Sequence, residues 1–167
     1  MKKAFSIILS IILALGLVLP LATVALAAPM PGAIWTTDGS GNPVNQNIYE
    51  SRLDVWLNGG PKSAQFQGLP DGLYYVQVTA PNGTLLGSSI GGLSTDTPVY
   101  VTGGRFYAPC SLWYDLVKAS DSTQEGYDVT PNPGGEYKVW ISMDPTFPNN
   151  GSKTDNFKVR SVSCDGG

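Results

Sequence analysis

Three kinds of side chain in this sequence can do chemistry: thirteen carboxylates, two cysteines and a large set of aromatic rings. Histidine is absent. That removes Ser–His and Cys–His nucleophile pairs, imidazole metal ligands and the commonest general base. No G-x-S-x-G, phosphate-loop or dinucleotide fingerprint occurs. Paired carboxylates can hydrolyse glycosides, but the acids lie mainly in polar loops and no spacing singles out two of them. Asp144, Asp155 and the carbonyls between them offer hard oxygen ligands of the kind Ca2+ takes, without the spacing of an EF-hand. The expectation is solvated surface acids, with no catalysis, no metal and no cofactor.

The cysteines are Cys110 and Cys164. In an exported chain an even count points to a disulfide between them. It would close a loop of about 55 residues, worth roughly 4 kcal/mol in the chain-entropy account.

The rings are the more suggestive set. Four Trp, eight Tyr and four Phe lie beyond Ala27. Strand side chains alternate between faces. In 136–143, Tyr137, Val139 and Ile141 share one face, and Lys138, Trp140 and Ser142 the other. In 73–80, Tyr74, Val76 and Val78 oppose Tyr75, Gln77 and Thr79. Trp56 likewise sits between Asp54 and Asn58, opposite Leu53, Val55 and Leu57. Trp56, Tyr75 and Trp140 are therefore candidate ligand-binding residues on an outer face. Two readings follow. Either the segment 103–130 lies over this face and buries it, or the rings form a contact strip for a glycan or a protein.

The elements that must position these rings are short strands. One frame occurs twice, as Pro70-x-Gly72-x-Tyr74-x-Val76-x-Val78 and as Pro133-x-Gly135-x-Tyr137-x-Val139-x-Ile141. Each copy is a turn followed by an alternating strand, and Asn82-Gly83 then makes a hairpin turn toward 84–89. Further strands are expected at 33–36, 52–57, 98–102, 105–107 and 156–162, with 58–61 ending the second of these. Residues 111–119 fit either a strand or one helical turn. No window holds a helical apolar period, and Gly and Pro punctuate the chain at short intervals throughout. That rhythm is the mark of an all-β domain.

Residues 1–27 read as a cleaved signal peptide: Lys2 and Lys3, an apolar run to Leu19, then Ala25-Leu26-Ala27. Residues 28–167 then have the length of a single domain. Without the two leader lysines, 8 basic residues face 13 acidic ones, a net charge of −5. This argues against nucleic acid, whose binders carry basic clusters, and against adhesion to anionic lipid. The expected location is secreted or extracellular, with no membrane insertion after cleavage.

The repeated frame, with A-P-N-G after its first copy, resembles the prealbumin-like β-sandwich modules of bacterial surface proteins, namely collagen-adhesin B-type repeats and Sdr B-like domains. The strings NIYESRLDVWLNGGP, LPDGLYYVQVTAPNG, TPNPGGEYKVW and SKTDNFKVR resemble a set of secreted bacterial proteins of unassigned function. The resemblance implies a non-catalytic extracellular module. Such modules often carry a Lys–Asn isopeptide bond promoted by a buried acid. Here 53–57 has no lysine, and Gln77 stands where the acid is expected.

The expected fold is thus an antiparallel β-sandwich, prealbumin-like or Ig-like, of seven to nine short strands. The expected function is a structural or adhesion-type module, with carbohydrate binding by Trp56, Tyr75 and Trp140 as the alternative. A surface glycan or a protein is the expected partner. Self-assembly, with 28–34 adding to a neighbour's sheet edge, is a further reading.

Overall fold

The structure is a computed structural model and describes residues 28–42 and 44–160. The leader and Cys164 lie outside the described residues. Among the described residues, all regular structure of more than one turn is strand. In chain order the strands are β1 (Ala33–Thr37), β2 (Ile48–Tyr49), β3 (Trp56–Gly60), β4 (Gly72–Thr79), β5 (Leu85–Ser88), β6 (Val99–Thr102), β7 (Arg105–Phe106), β8 (Cys110–Ser111), β9 (Val117–Lys118), β10 (Glu136–Ser142) and β11 (Ser152–Val159). Single 3-10 turns occupy Arg52–Asp54 and Asn149–Gly151. The strand count exceeds the expected seven to nine because β2, β7, β8 and β9 are two-residue pairings.

The two copies of the repeated frame are neighbours. β4 and β10 pair antiparallel, with Val78 opposite Val139 and Val76 opposite Ile141. They form the centre of a large sheet of order β2-β11-β10-β4-β5-β9. On the far side of β4 from β10, two strands share the length of β4. β5 pairs with its C-terminal half and β6 with its N-terminal half. Between them the ladder is completed by a side chain: the Val76 N–H donates to Ser89 Oγ at 2.9 Å, and the Ser89 N–H donates back to the Val76 carbonyl at 2.8 Å. β6 turns through Gly103-Gly104 into β7. Both glycines have positive φ, +58° and +77°, as a two-residue hairpin turn of right-handed twist requires. The small sheet has the order β1-β3-β8. All pairings are antiparallel except β2 with β11, which is parallel and corrects the expectation of a wholly antiparallel layout.

Both sheets supply one core. Tyr74, Val76, Val78, Val139 and Ile141 from the large sheet lie in one cluster with Ile34 and Leu57 from the small one. Residues expected as strand at 52–57 divide instead. Ser51 Oγ accepts from the Leu53 N–H at 3.2 Å and starts a 3-10 turn, which leaves Leu53 47% exposed. The strand continues through Asn58-Gly59-Gly60, where the sequence suggests a turn, because these glycines make room for neighbours. A Cβ at Gly59 would lie 2.6 Å from the Phe106 ring, and one at Gly60 would lie 3.3 Å from Arg105 Cγ.

Where β1 approaches β11, a side chain spans the two sheets. Asp155 Oδ2 accepts from the Thr36 N–H at 2.9 Å, and Thr36 Oγ1 donates to the Gln46 carbonyl. β2 pairs only with the end of β11, so the first half of β11 is a sheet edge. An inward acid on such an edge blocks further strand pairing there. The entry segment is engaged within the same domain: Met30 is buried, and its N–H donates to the Asn150 carbonyl at 3.0 Å.

Candidate functional site

The outer face of the large sheet carries the candidate site. On β4 it is formed by Leu73, Tyr75, Gln77 and Thr79, because Tyr74, Val76 and Val78 are fully buried on the other side. On β10 it is formed by Lys138, Trp140 and Ser142. Trp140 stands opposite Gln77, and Ser142 opposite Tyr75, so Tyr75 and Trp140 are diagonal neighbours. The Trp140 indole N–H donates to Thr79 Oγ1 at 3.1 Å, and the Lys138 ammonium lies 4.8 Å from the indole centroid. Both contacts hold the half-buried ring in a fixed orientation.

The face continues across β6 and β7. Tyr100 pairs with Leu73, and the Tyr107 N–H donates to the Tyr100 carbonyl. The two tyrosine rings are 6.1 Å apart and tilted by 47°. Leu73 is 54% exposed, Tyr100 49% and Tyr107 77%. A diagonal band thus runs Tyr107–Tyr100–Leu73–Tyr75–Trp140 over four strands, roughly 15 Å across at the usual strand spacing. A carboxylate holds the tyrosine hairpin against β4. Asp71 accepts from the Gly104 N–H at 2.8 Å and from the Gly103 N–H at 3.1 Å, while the Leu69 N–H donates to the Gly104 carbonyl.

Two of the three expected ring residues therefore come together and the third does not. Trp56 lies on β3 in the small sheet, where it pairs with Thr37 and Ser111 and its indole packs against Gly39. A sheet assignment cannot be read from local alternation, which gives the face but not the sheet. Tyr100, Tyr107 and Leu73 escaped the sequence reading. Their signal was present in Val99-Tyr100-Val101-Thr102, where alternation puts Tyr100 with the polar residue.

The segment 103–130 does not cover this band: its start, through Tyr107, forms part of it, and its later part around Tyr127 packs on the opposite, inner side. Tyr127 is fully buried, 5.3 Å from the Tyr137 ring and 6.0 Å from the Phe157 ring, both edge-on. Burial pushes the Tyr127 hydroxyl well above its usual pKa. The Arg52 guanidinium lies over Trp113 and Tyr127, at 5.2 and 5.8 Å, and donates to the Tyr127 carbonyl. Within 111–119 a single turn at 112–115, in which the Asp115 N–H donates to the Ser111 carbonyl at 3.2 Å, separates β8 from β9, so the segment is one helical turn between two short strands rather than one strand.

Most carboxylates are occupied by the backbone. Asp38, Asp71, Asp96, Asp115, Asp121, Asp128, Asp144 and Asp155 each accept from at least one main-chain N–H. Hydrogen bonds to the ionised form hold Asp38, Asp121 and Asp144 below the ordinary carboxylate range. Asp155 is not a loop ligand beside Asp144, as a Ca2+ site there would need, but an inward residue of β11 whose pKa burial raises. Among the described residues, no group of three or more Cys, Asp or Glu is placed to hold a metal ion. No helix among them is long and apolar enough to cross a membrane. Cys110 is buried against the core, and burial, then Asp115, push its thiol up. Its expected partner Cys164 lies outside the described residues. Gln77 projects from the outer face, so an acid at that position would not reach the core.

No protein-family model matches the chain, and neither a curated protein nor a solved structure is significantly similar to it.

Proposed function

We propose that this chain is a non-catalytic adhesion-type module of a secreted or cell-surface protein. In this reading it is a prealbumin-like β-sandwich that engages a neutral glycan through the outer face of its large sheet. The observation that carries the reading is the exposed Tyr100–Tyr107 pair continuing the Tyr75–Trp140 band. Monomeric proteins seldom leave contiguous ring surface in solvent without a use for it. Aromatic rings offer flat apolar surface at low cost in side-chain entropy, and pyranose rings present matching C–H faces. Gln77 on β4 and Thr154 and Asn156 on β11 add hydrogen-bonding groups on the same side. The charged side chains of β4 and β10 on this face, Lys138 and Glu136, are of opposite sign and leave it without net charge, which favours an uncharged ligand.

The test is retention on insoluble neutral polysaccharides, with acidic polysaccharides for comparison. The double substitution Tyr100→Ala/Tyr107→Ala is expected to weaken binding about tenfold, the loss of roughly 1.4 kcal/mol of ring contact. Its unfolding transition should stay cooperative, since both rings are exposed. Trp140→Ala should act in the same direction, and Trp56→Ala should leave glycan binding unchanged. A folded Tyr100/Tyr107 variant that binds as well as the parent would sink the proposal, as would failure of the parent to bind any neutral polysaccharide.

A further inference from the structure

The ring that left the band has a different setting. Trp56 lines an open groove of about 430 Å3 with Asp38, Gly39, Ile48, Glu50, Leu53 and Asp54 on its walls. Ile48 and Leu53 are 51% and 47% exposed, although both are aliphatic. Three carboxylates line the groove and no lysine or arginine does, among the described residues. Their states differ. Glu50 is paired with Arg160. Asp38 receives its hydrogen bonds from Ser40 and Asn42 all on Oδ1, and these keep it ionised with Oδ2 unengaged. Asp54 is the one described aspartate whose carboxylate accepts no main-chain N–H, and among the described residues it has no salt-bridge partner. Every other described aspartate contributes to a turn, a clasp or the sheet seam. Asp54 contributes charge to a groove and nothing visible to the fold.

An indole, two exposed aliphatic side chains and unneutralised carboxylates complement one kind of ligand group, an alkyl stem ending in a cation. We propose that this groove receives a lysine or arginine side chain presented by a protein partner. The stem would lie on Ile48 and Leu53, and the cation would meet Asp54, the free oxygen of Asp38 and the face of Trp56. The site lies between β3 of the small sheet and β2 at the edge of the large one, away from the proposed glycan-binding band, so neither reading stands or falls with the other.

The experiment is a titration of the 15N-labelled protein with a capped Gly-Lys-Leu-Lys-Gly peptide, with Gly-Gln-Leu-Gln-Gly as control. The reporter is the Trp56 indole N–H resonance, identified by its loss in Trp56→Phe. The lysine peptide should shift it saturably and the glutamine peptide should not. Asp54→Asn should weaken the interaction roughly threefold, and Asp54→Lys should abolish it. Asp54 is exposed, so both variants should keep the dispersed spectrum of the parent. Absence of a saturable shift overturns the proposal. So does an equal response to the glutamine peptide, or undiminished binding in folded Asp54→Lys.

Discussion

At Asp155 the last strand turns a carboxylate inward, between two sheets that do not share a ladder at that point. The charge is costly there, and burial raises its pKa above the ordinary value of 3.8. The N–H of Thr36 offsets part of that cost. Because the folded state holds this proton more tightly than the unfolded state, the contribution of Asp155 to stability is most favourable below about pH 4. It declines as pH rises through the raised folded value, and above that both states are ionised. The substitution Asp155→Asn keeps an acceptor for Thr36 without the charge. The melting temperature of the parent minus that of Asp155→Asn should therefore be largest near pH 3 and smaller at pH 7. A difference that is flat or grows over that range contradicts the account. Asp155→Ala should cost about 1–3 kcal/mol near pH 3 and less at pH 7, since it leaves the buried Thr36 N–H without a partner and removes the titrating group.

The elements are shaped by close approaches as much as by alternation. β3 runs through two glycines because a side chain at Gly59 would strike Phe106 and Leu69, at 2.6 and 2.9 Å. Gly103, by contrast, is needed only for its backbone conformation: φ is +58°, and nothing lies within 4 Å of a Cβ built there. The two positions should respond differently to the same substitution. Gly59→Ala forces the core apart and should cost about 1–3 kcal/mol. Gly103→Ala should cost about 1 kcal/mol, the strain of a left-handed residue alone. Urea midpoints with unchanged m-values would measure both. Gly103 also belongs to the hairpin that Asp71 clasps, so its replacement tests how firmly Tyr100 and Tyr107 are held.

At the scale of the whole molecule, the part of the segment 103–130 around Tyr127 is an inner strap. Tyr127 sets its ring edge-on against the stacked pair of Tyr137 and Phe157, and its position requires a glycine at 87, where a Cβ would lie 2.6 Å from the tyrosine. Its hydroxyl makes only a 3.4 Å contact with the Arg52 carbonyl. Tyr127→Ala should therefore cost about 3–5 kcal/mol, and Tyr127→Phe about 0.5–1 kcal/mol. If the two were equal by thermal or urea unfolding, the hydroxyl rather than the ring would be holding the strap. Because this strap occupies the inner side, the outer face of the large sheet stays open, and the Trp56 groove lies apart from it, between β3 of the small sheet and the β2 edge of the large one.

What the amino-acid sequence determined by itself follows from short-range physics. Period-two alternation set which side chains of β4 and β10 are buried, and the Pro-x-Gly and Asn-Gly signals set where those strands begin and turn. The repeated frame marked two strands that prove to be direct partners. The absence of histidine and the excess of acids limited the chemistry before any fold was known. Other features depend on contacts between residues far apart in the chain, which no local pattern encodes. Trp56 alternates just as Trp140 does, yet pairing with β1 and β8 carries it to another sheet. Tyr100 and Tyr107 become one surface with Leu73 only because β6 docks beside the first half of β4. Asp155 looks like a loop acid until β1 comes within hydrogen-bonding distance, 119 positions away in the chain. Strand faces are a property of neighbouring residues, whereas sheet membership and surface continuity are decided by which distant strands find each other.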